Sequence, residues 1–124
     1  MKNIYLCYAP EDIASASEIQ NRFTASNLDC SLVKFEDGEY LVDFPKEMLS
    51  SIRDTEAFVL LLTEKALQSQ IVSIQIVKAV SLNKPCFAIK AEKFSLDRSS
   101  SFSLSSFELY SSSDIEKLIR KLGE

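Results

Sequence analysis

Short apolar runs recur about every 25 to 30 residues along this chain of 124 residues, and segments with helical periodicity separate them. The runs span residues 4–8, 30–33, 57–62 and 86–89, and a fifth, edge-like run spans 107–110. Runs this short and this apolar are typical of parallel strands that are covered on both faces. Because parallel strands need crossover connections, the sequence predicts a single α/β domain, a parallel sheet with helices on both faces and 57–62 at its centre.

The helical pattern before the fourth strand contains the most informative residue of the chain. Near its middle a neutral amide, Gln75, stands between two isoleucines. The apolar residues around it are spaced as one face of a helix: Ile71, Ile74, Val77 and Val80, with Ile76 and Ala79 beside them. The sequence therefore predicts an amphipathic helix that carries Gln75.

Turn and cap residues predict where the helices begin and end. Asn83 is expected to end the Gln75 helix in a left-handed conformation, and Pro85 cannot continue it. Ser113 and Glu116 have the spacing of a capping box, which predicts the start of a last helix. Gly123 is expected to end that helix.

Composition excludes several classes of function. The net charge is −4 and no cluster of basic residues exists, which argues against a nucleic-acid surface. The absence of histidine removes Ser-His and Cys-His catalysis and the usual zinc ligand sets, so no metal site is expected. Three widely spaced cysteines, Cys7, Cys30 and Cys86, without a CxxC pair favour packing over redox chemistry. No apolar run approaches the ~20 residues of a membrane span, and we expect a cytoplasmic location.

Several segments together resemble a known family. Residues 4–12, IYLCYAPED, are similar to the first-strand motif of Toll/interleukin-1 receptor (TIR) domains of the bacterial type, in which an apolar pair precedes Ser-Tyr-Ser, a polar residue and an acidic pair. Residues 44–62 resemble the second helix and third strand of that family, and 63–67 its following connector. Residues 81–85 are similar to its Gly-Lys-Pro helix ending, so the resemblance covers essentially the whole chain.

The resemblance implies a flavodoxin-like three-layer sandwich with a five-stranded parallel sheet. It also implies two kinds of activity in innate-immune or anti-phage signalling, which are self-association with other TIR domains and cleavage of the nicotinamide–ribose bond of NAD. Self-association in the family often uses the loop after the second strand, which here contains Tyr40, Leu41 and Val42. NAD enters as a ligand or substrate, and no resident cofactor is required.

The catalytic glutamate of the family corresponds to Gln75 in this chain. Cleaving a nicotinamide glycosidic bond develops oxocarbenium-like charge that a carboxylate stabilises, and losing such a group commonly costs on the order of a hundredfold or more in rate. Gln75 has three interpretations: a naturally degenerate site, an engineered replacement of glutamate, or an ordinary polar residue of the helix. We therefore expect signalling by association, with an NAD glycohydrolase as the alternative, through a replaced glutamate or a site completed by assembly.

The other candidate site residues follow from the position of ligands in parallel sheets, outside the carboxyl ends of the strands. The candidate nucleotide-binding residues are Tyr8, Ala9, Glu11, Phe35 and Gln75. Tyr8 is either a nucleotide contact or a half-buried strand aromatic, and Glu11 either positions a ribose or favours the start of a helix. Phe35 and Tyr40 either contact a partner or fix their loop. Nucleoside deoxyribosyltransferases resemble the chain less well, because the turn at 9–12 suits TIR domains better.

Overall fold

The computed structural model describes residues 3–32, 46–91 and 107–123. In chain order, the elements are β1 (Asn3–Cys7), a 3-10 turn (Pro10–Asp12), α1 (Ile13–Ala25), β2 (Asp29–Ser31), α2 (Lys46–Asp54), β3 (Ala57–Leu62), α3 (Glu64–Gln68), α4 (Gln70–Ser81), β4 (Cys86–Lys90), β5 (Phe107–Ser111), a second 3-10 turn (Ser112–Asp114) and α5 (Ile115–Leu122).

The five strands form one parallel sheet in the order β2-β1-β3-β4-β5. Its two faces bury separate apolar clusters, one against α1 and α5 and the other against α2, α3 and α4. The predicted three-layer α/β sandwich with a five-stranded parallel sheet is confirmed. β3 lies at the centre, with all six of its residues buried, and β5 lies at one edge, as the apolar runs predict.

Alternation along β1 assigns its side chains to the two clusters. Ile4 and Leu6 pack on the α1 side, whereas Tyr5 and Cys7 pack on the α4 side. The ring of Tyr5 stacks on Phe58 of β3, with centroids 5.8 Å apart and planes inclined by 24°. Tyr5 is thereby held under α4, and this position matters for the site.

Asparagine ends both long helices, as the sequence predicts for α4. Asn83 adopts φ 57° after α4, and Asn27 adopts φ 64° after α1. After α4 the amides of Asn83 and Lys84 donate to the carbonyl oxygens of Val80 and Ala79, which is the Schellman pattern. The same pattern closes α1. These bonds satisfy carbonyl groups that a helix end otherwise leaves without partners.

The predicted capping box at the start of α5 is wrong. The N-cap of α5 is Asp114, without a side-chain cap bond, and Ser113 lies inside the preceding 3-10 turn. Glu116 instead forms an ion pair with Arg22 of α1. The extra turn moves the start of the helix past the serine, so the spacing that suggested the box does not coincide with the helix end.

The predicted apolar face of α4 agrees with its buried face only in part, since four of its six residues pack against the core: Ile71, Ile76, Ala79 and Val80. Ile74 and Val77 are exposed, at 41% and 65% of their surface, while the buried residues are Val72, Gln75, Ile76 and Ala79. The sequence is misleading here because α4 carries apolar residues almost all the way round. Period alone cannot then decide which side faces the sheet.

Several predicted features lie outside the described residues. They are Phe35 and the partner-loop residues Tyr40, Leu41 and Val42.

Candidate functional site

Gln75 lies in the core with both ends of its carboxamide hydrogen-bonded. Only 1% of its surface is exposed. Its Oε1 accepts a hydrogen bond of 2.6 Å from the hydroxyl of Tyr5, and its Nε2 donates to the carbonyl oxygen of Ile71 at 3.2 Å. The amide thus joins α4 to the central part of the sheet, and it is closed to solvent in this conformation.

The surroundings of Gln75 favour neutral groups. The Tyr5 hydroxyl stays protonated because burial raises its pKa well above the ordinary value, an effect that Cys7 and Tyr8 reinforce. A neutral amide between a hydroxyl donor and a carbonyl acceptor satisfies every partner without a charge. A carboxylate in the same place would face the Ile71 carbonyl and lose solvation, which raises its pKa.

The remaining predicted nucleotide contacts are dispersed. Tyr8 is buried with the α1-side cluster, on the opposite face of the sheet from Gln75, and burial raises its pKa to about 12. Ala9 is fully buried on the α4 side, and Glu11 is exposed on the 3-10 turn. The structure therefore brings Ala9 and Gln75 to the same side of the sheet but separates Tyr8 from both.

A polar bridge joins two loops at the switch point of the sheet, where the strand order reverses between β1 and β3. The Thr63 hydroxyl donates to Oδ2 of Asp12 at 2.6 Å and accepts from the amide of Ala66 at 3.0 Å. One threonine therefore caps α3 and fixes the carboxylate that follows β1. This is where a flavodoxin-like sheet offers a ligand crevice.

A groove of about 410 Å³ lies elsewhere, between the β1–β2 side of the sheet and the last turns of α2. The residues that line it are polar apart from one tyrosine: Asn3, Tyr5, Ser31, Ser50, Ser51, Asp54 and Thr55. Tyr5 contributes to both places, because it is one of the residues that line the groove and its hydroxyl donates to Gln75. Thr55 is already occupied, since its hydroxyl lies 2.9 Å from the carbonyl oxygens of Asn3 and Ala57.

The cysteines are buried thiols rather than reactive ones. Burial raises the pKa of Cys86 to about 11, and burial together with Asp29 raises that of Cys30 to about 12. Burial also raises the pKa of Cys7. Because the thiolate is the reactive form, these residues are weak nucleophiles at neutral pH. Across residues 3–32, 46–91 and 107–123, no group of acidic or cysteine side chains could hold a metal ion.

Two partners in the site escaped the sequence analysis, namely Tyr5 and Thr63. The sequence does contain a signal for Tyr5. A tyrosine inside an apolar strand and a glutamine inside an apolar helix each need a buried hydrogen-bond partner. Thr63 follows β3 directly and is the N-cap of α3, a position that threonine favours. Its bond to Asp12 depends on the strand order and has no local signal.

A sequence comparison and a structure comparison both match the chain to the same family. A family model described as the TIR domain matches residues 4–119. Among solved structures, the chain is similar to the TIR domain of the Toll-related receptor TRR-2 from the lower metazoan Hydra magnipapillata, with a TM-score of 0.73 and 12% identity over 100% of each chain. No curated protein matches the chain in sequence. In the part of the chain that the structure describes, no helix is both long and apolar enough to cross a membrane.

Proposed function

This chain belongs to the TIR domain family, and from that premise we propose that it is a signalling domain that works by associating with other TIR domains rather than by cleaving NAD. The observation that carries the proposal is the state of position 75. Its amide is neutral, buried and bonded at both ends to Tyr5 and Ile71. By the resemblance, position 75 is that of the family's catalytic glutamate, and a buried amide with a structural role there supports association over cleavage.

The proposed contact residues are Tyr40, Leu41 and Val42, which follow the second strand as the self-association loop of the family does. Adjacent apolar side chains in an otherwise acidic segment are typical of a contact with another protein. From the resemblance we infer that this association serves innate-immune or anti-phage signalling.

The NAD-type cleft is the second element of the proposal, with Gln75 at the position of the glutamate and Ala9 and Glu11 near the end of β1. An amide in place of a carboxylate preserves shape and hydrogen bonding but leaves the oxocarbenium-like charge without a counter-charge. Because Gln75 is buried in this conformation, a nucleotide could reach it only if the carboxamide became accessible, and the amide would still lack the counter-charge.

The experiment measures association and chemistry on the same preparations. Sedimentation velocity over a range of concentrations follows self-association, while nicotinamide release from NAD is followed for the chain and for Gln75→Glu, at high protein concentration with a crowding agent. We expect the chain to associate and to release no nicotinamide. Urea unfolding of both proteins at the assay pH is the control, because a buried carboxyl at position 75 is expected to destabilise the fold.

Three outcomes decide between the candidate functions. Release by Gln75→Glu alone would identify the cleft as an NAD site in which the amide prevents the chemistry. Release by the unchanged chain would replace the proposal with the NAD glycohydrolase. A chain that remains monomeric at every concentration, alone and with other TIR domains, would remove the association function.

A further inference from the structure

We propose that the groove beside α2 binds an uncharged sugar through adjacent hydroxyl groups of its ring. We call this place the α2 groove and define it by the residues that offer it hydrogen-bonding groups: Asn3, Ser31, Ser50, Ser51 and Asp54. It requires neither the association nor the NAD-type cleft proposed above, so it stands or falls separately from both.

One wall of the α2 groove comes from the first two strands. Tyr5 packs on the α2 side of the sheet, and Asn3 lies two residues before it on β1, so the two side chains point the same way. Ser31 is the register partner of Tyr5 on β2 and therefore shares that face. The strands thus offer an amide and a hydroxyl to the groove.

The other wall is formed by the last two turns of α2. Ser50 and Ser51 precede Asp54 by four and three residues, a spacing that places the three side chains on one side of the helix. Met48 and Ile52 of the same helix pack in the core. The helix therefore offers two hydroxyls and a carboxylate.

Hydrogen bonds already join the two walls. The amide of Asn3 donates to Oε1 of Glu56 at 3.0 Å, and the amide of Glu56 donates to the carbonyl oxygen of Asn3 at 3.0 Å. The Thr55 hydroxyl lies 2.9 Å from the same carbonyl oxygen. The start of β1 and the residues after α2 are therefore fixed together, and a ligand does not have to order them on binding.

The charge of the α2 groove disfavours anions. The residues that line it include one carboxylate, Asp54, and no lysine or arginine. Arg53 contacts Asp54 through Oδ1 at 3.2 Å, but both side chains are exposed and such pairs are weak. Oδ2 of Asp54 has no partner among the described residues. A phosphate would therefore meet a negative charge here and no counter-charge.

The position of Asp54 also points to a ligand. Asp54 is the last residue of α2, where the helix dipole disfavours a negative charge. Residues that break a local rule of this kind are expected at functional sites. A carboxylate oxygen that accepts hydrogen bonds from a ligand gives the charge a role that the helix itself does not.

The groups around the α2 groove match neighbouring hydroxyls of a sugar. Each sugar hydroxyl both donates and accepts, and the groove combines an acceptor-only carboxylate, an amide with both functions and serine hydroxyls. Its volume of about 410 Å³ lies in the range of small-molecule sites. A free monosaccharide and the ribose of a nucleoside present the same pair of hydroxyls, so the test distinguishes these two sources.

The test is a titration of the whole chain followed by two-dimensional ¹H–¹⁵N NMR. The probes are D-glucose, D-galactose, D-mannose, D-ribose and adenosine, together with glucose 6-phosphate and ribose 5-phosphate. We expect saturable shifts at Ser31, Ser50 and Ser51 with at least one uncharged probe, at a Kd on the order of 1 mM. Binding by adenosine alone would identify a nucleoside as the source, and binding by a free sugar would identify a monosaccharide.

Two results of the titration would overturn the proposal. One is the absence of saturable shifts at these serines with every uncharged probe up to about 100 mM. The other is binding of a phosphate ester as tightly as its parent sugar, because the carboxylate is expected to weaken the ester at least about tenfold.

Asp54→Asn tests the carboxylate directly, with Glu18→Gln as the matched control. Glu18 is exposed on α1, on the opposite side of the sheet. Asp54→Asn should raise the Kd of the bound probe about tenfold, since hydrogen bonds to a charged acceptor are the stronger ones, and Glu18→Gln should leave it within about twofold. Asp54→Asn should not lower the urea midpoint, because the change removes a negative charge from a helix end. Equal affinity of Asp54→Asn and the unchanged chain would refute the site.

Ser51→Leu gives a second, steric test, because the larger side chain occupies part of the α2 groove without changing any charge. It should abolish the shifts at Ser31 and Ser50 with a urea midpoint that shows a folded protein. Undiminished binding in this variant would place the sugar elsewhere and overturn the proposal.

Discussion

Tyr5 and Gln75 lie 70 residues apart in the chain, and each satisfies a polar group that the other would leave unpaired in the core. Tyr5→Phe removes the hydroxyl and leaves Oε1 of Gln75 without its donor. We expect a loss of about 1–3 kcal/mol in the free energy of unfolding, measured by urea denaturation, because an orphaned buried acceptor keeps its desolvation cost.

Tyr110→Phe is the matched control, since the Tyr110 hydroxyl donates to Glu108 at an exposed position. It should cost no more than about 0.5 kcal/mol. Combining Tyr5→Phe with Gln75→Leu should cost less than the sum of the two single changes, because the double variant leaves no orphaned group. Strict additivity would show that the bond between these side chains contributes nothing.

The buried thiol of Cys86 predicts how stability depends on alkaline pH. Burial raises its pKa from 9.0 to about 11, so between these values the unfolded chain has released a proton that the folded chain still holds. The unfolded state then binds fewer protons, and stability is lost as pH rises through this window. The urea midpoint should therefore be lower at about pH 10 than at about pH 8. In Cys86→Ala the difference between the two midpoints should be smaller. An unchanged pH slope in the variant would contradict this assignment.

The ends of the helices depend on single asparagines. At Asn83, with φ 57°, glycine adopts the left-handed conformation without strain, whereas alanine does not. Asn83→Ala should lower the free energy of unfolding by about 1 kcal/mol, and Asn83→Gly should leave it unchanged or raise it slightly. Asn27, with φ 64°, gives an internal replicate after α1. Equal stabilities of the alanine and glycine variants at both positions would contradict the account.

Local chemistry predicts the elements of this fold better than it predicts their orientation. β3 coincides with its apolar run at 57–62, and Asn83 ends α4 where its turn chemistry indicates. The side of α4 that faces the sheet could be predicted only in part, because isoleucine and valine occur on both sides of the helix. Three-dimensional packing decides that the side of α4 with Gln75 faces the sheet. It also decides that Gln75 and Tyr5 come within hydrogen-bond distance.

The strand order also has a consequence for how the chain can fold during synthesis. After β2 pairs with β1, each later strand joins the opposite side of the growing sheet, in the sequence β3, β4, β5. The sheet can thus lengthen strand by strand as the chain emerges from the ribosome, without opening pairs already made. Ribosome-bound intermediates that lack β5 would already possess the Tyr5–Gln75 bond. In them β4 would be an edge strand, with one side unpaired until β5 is added.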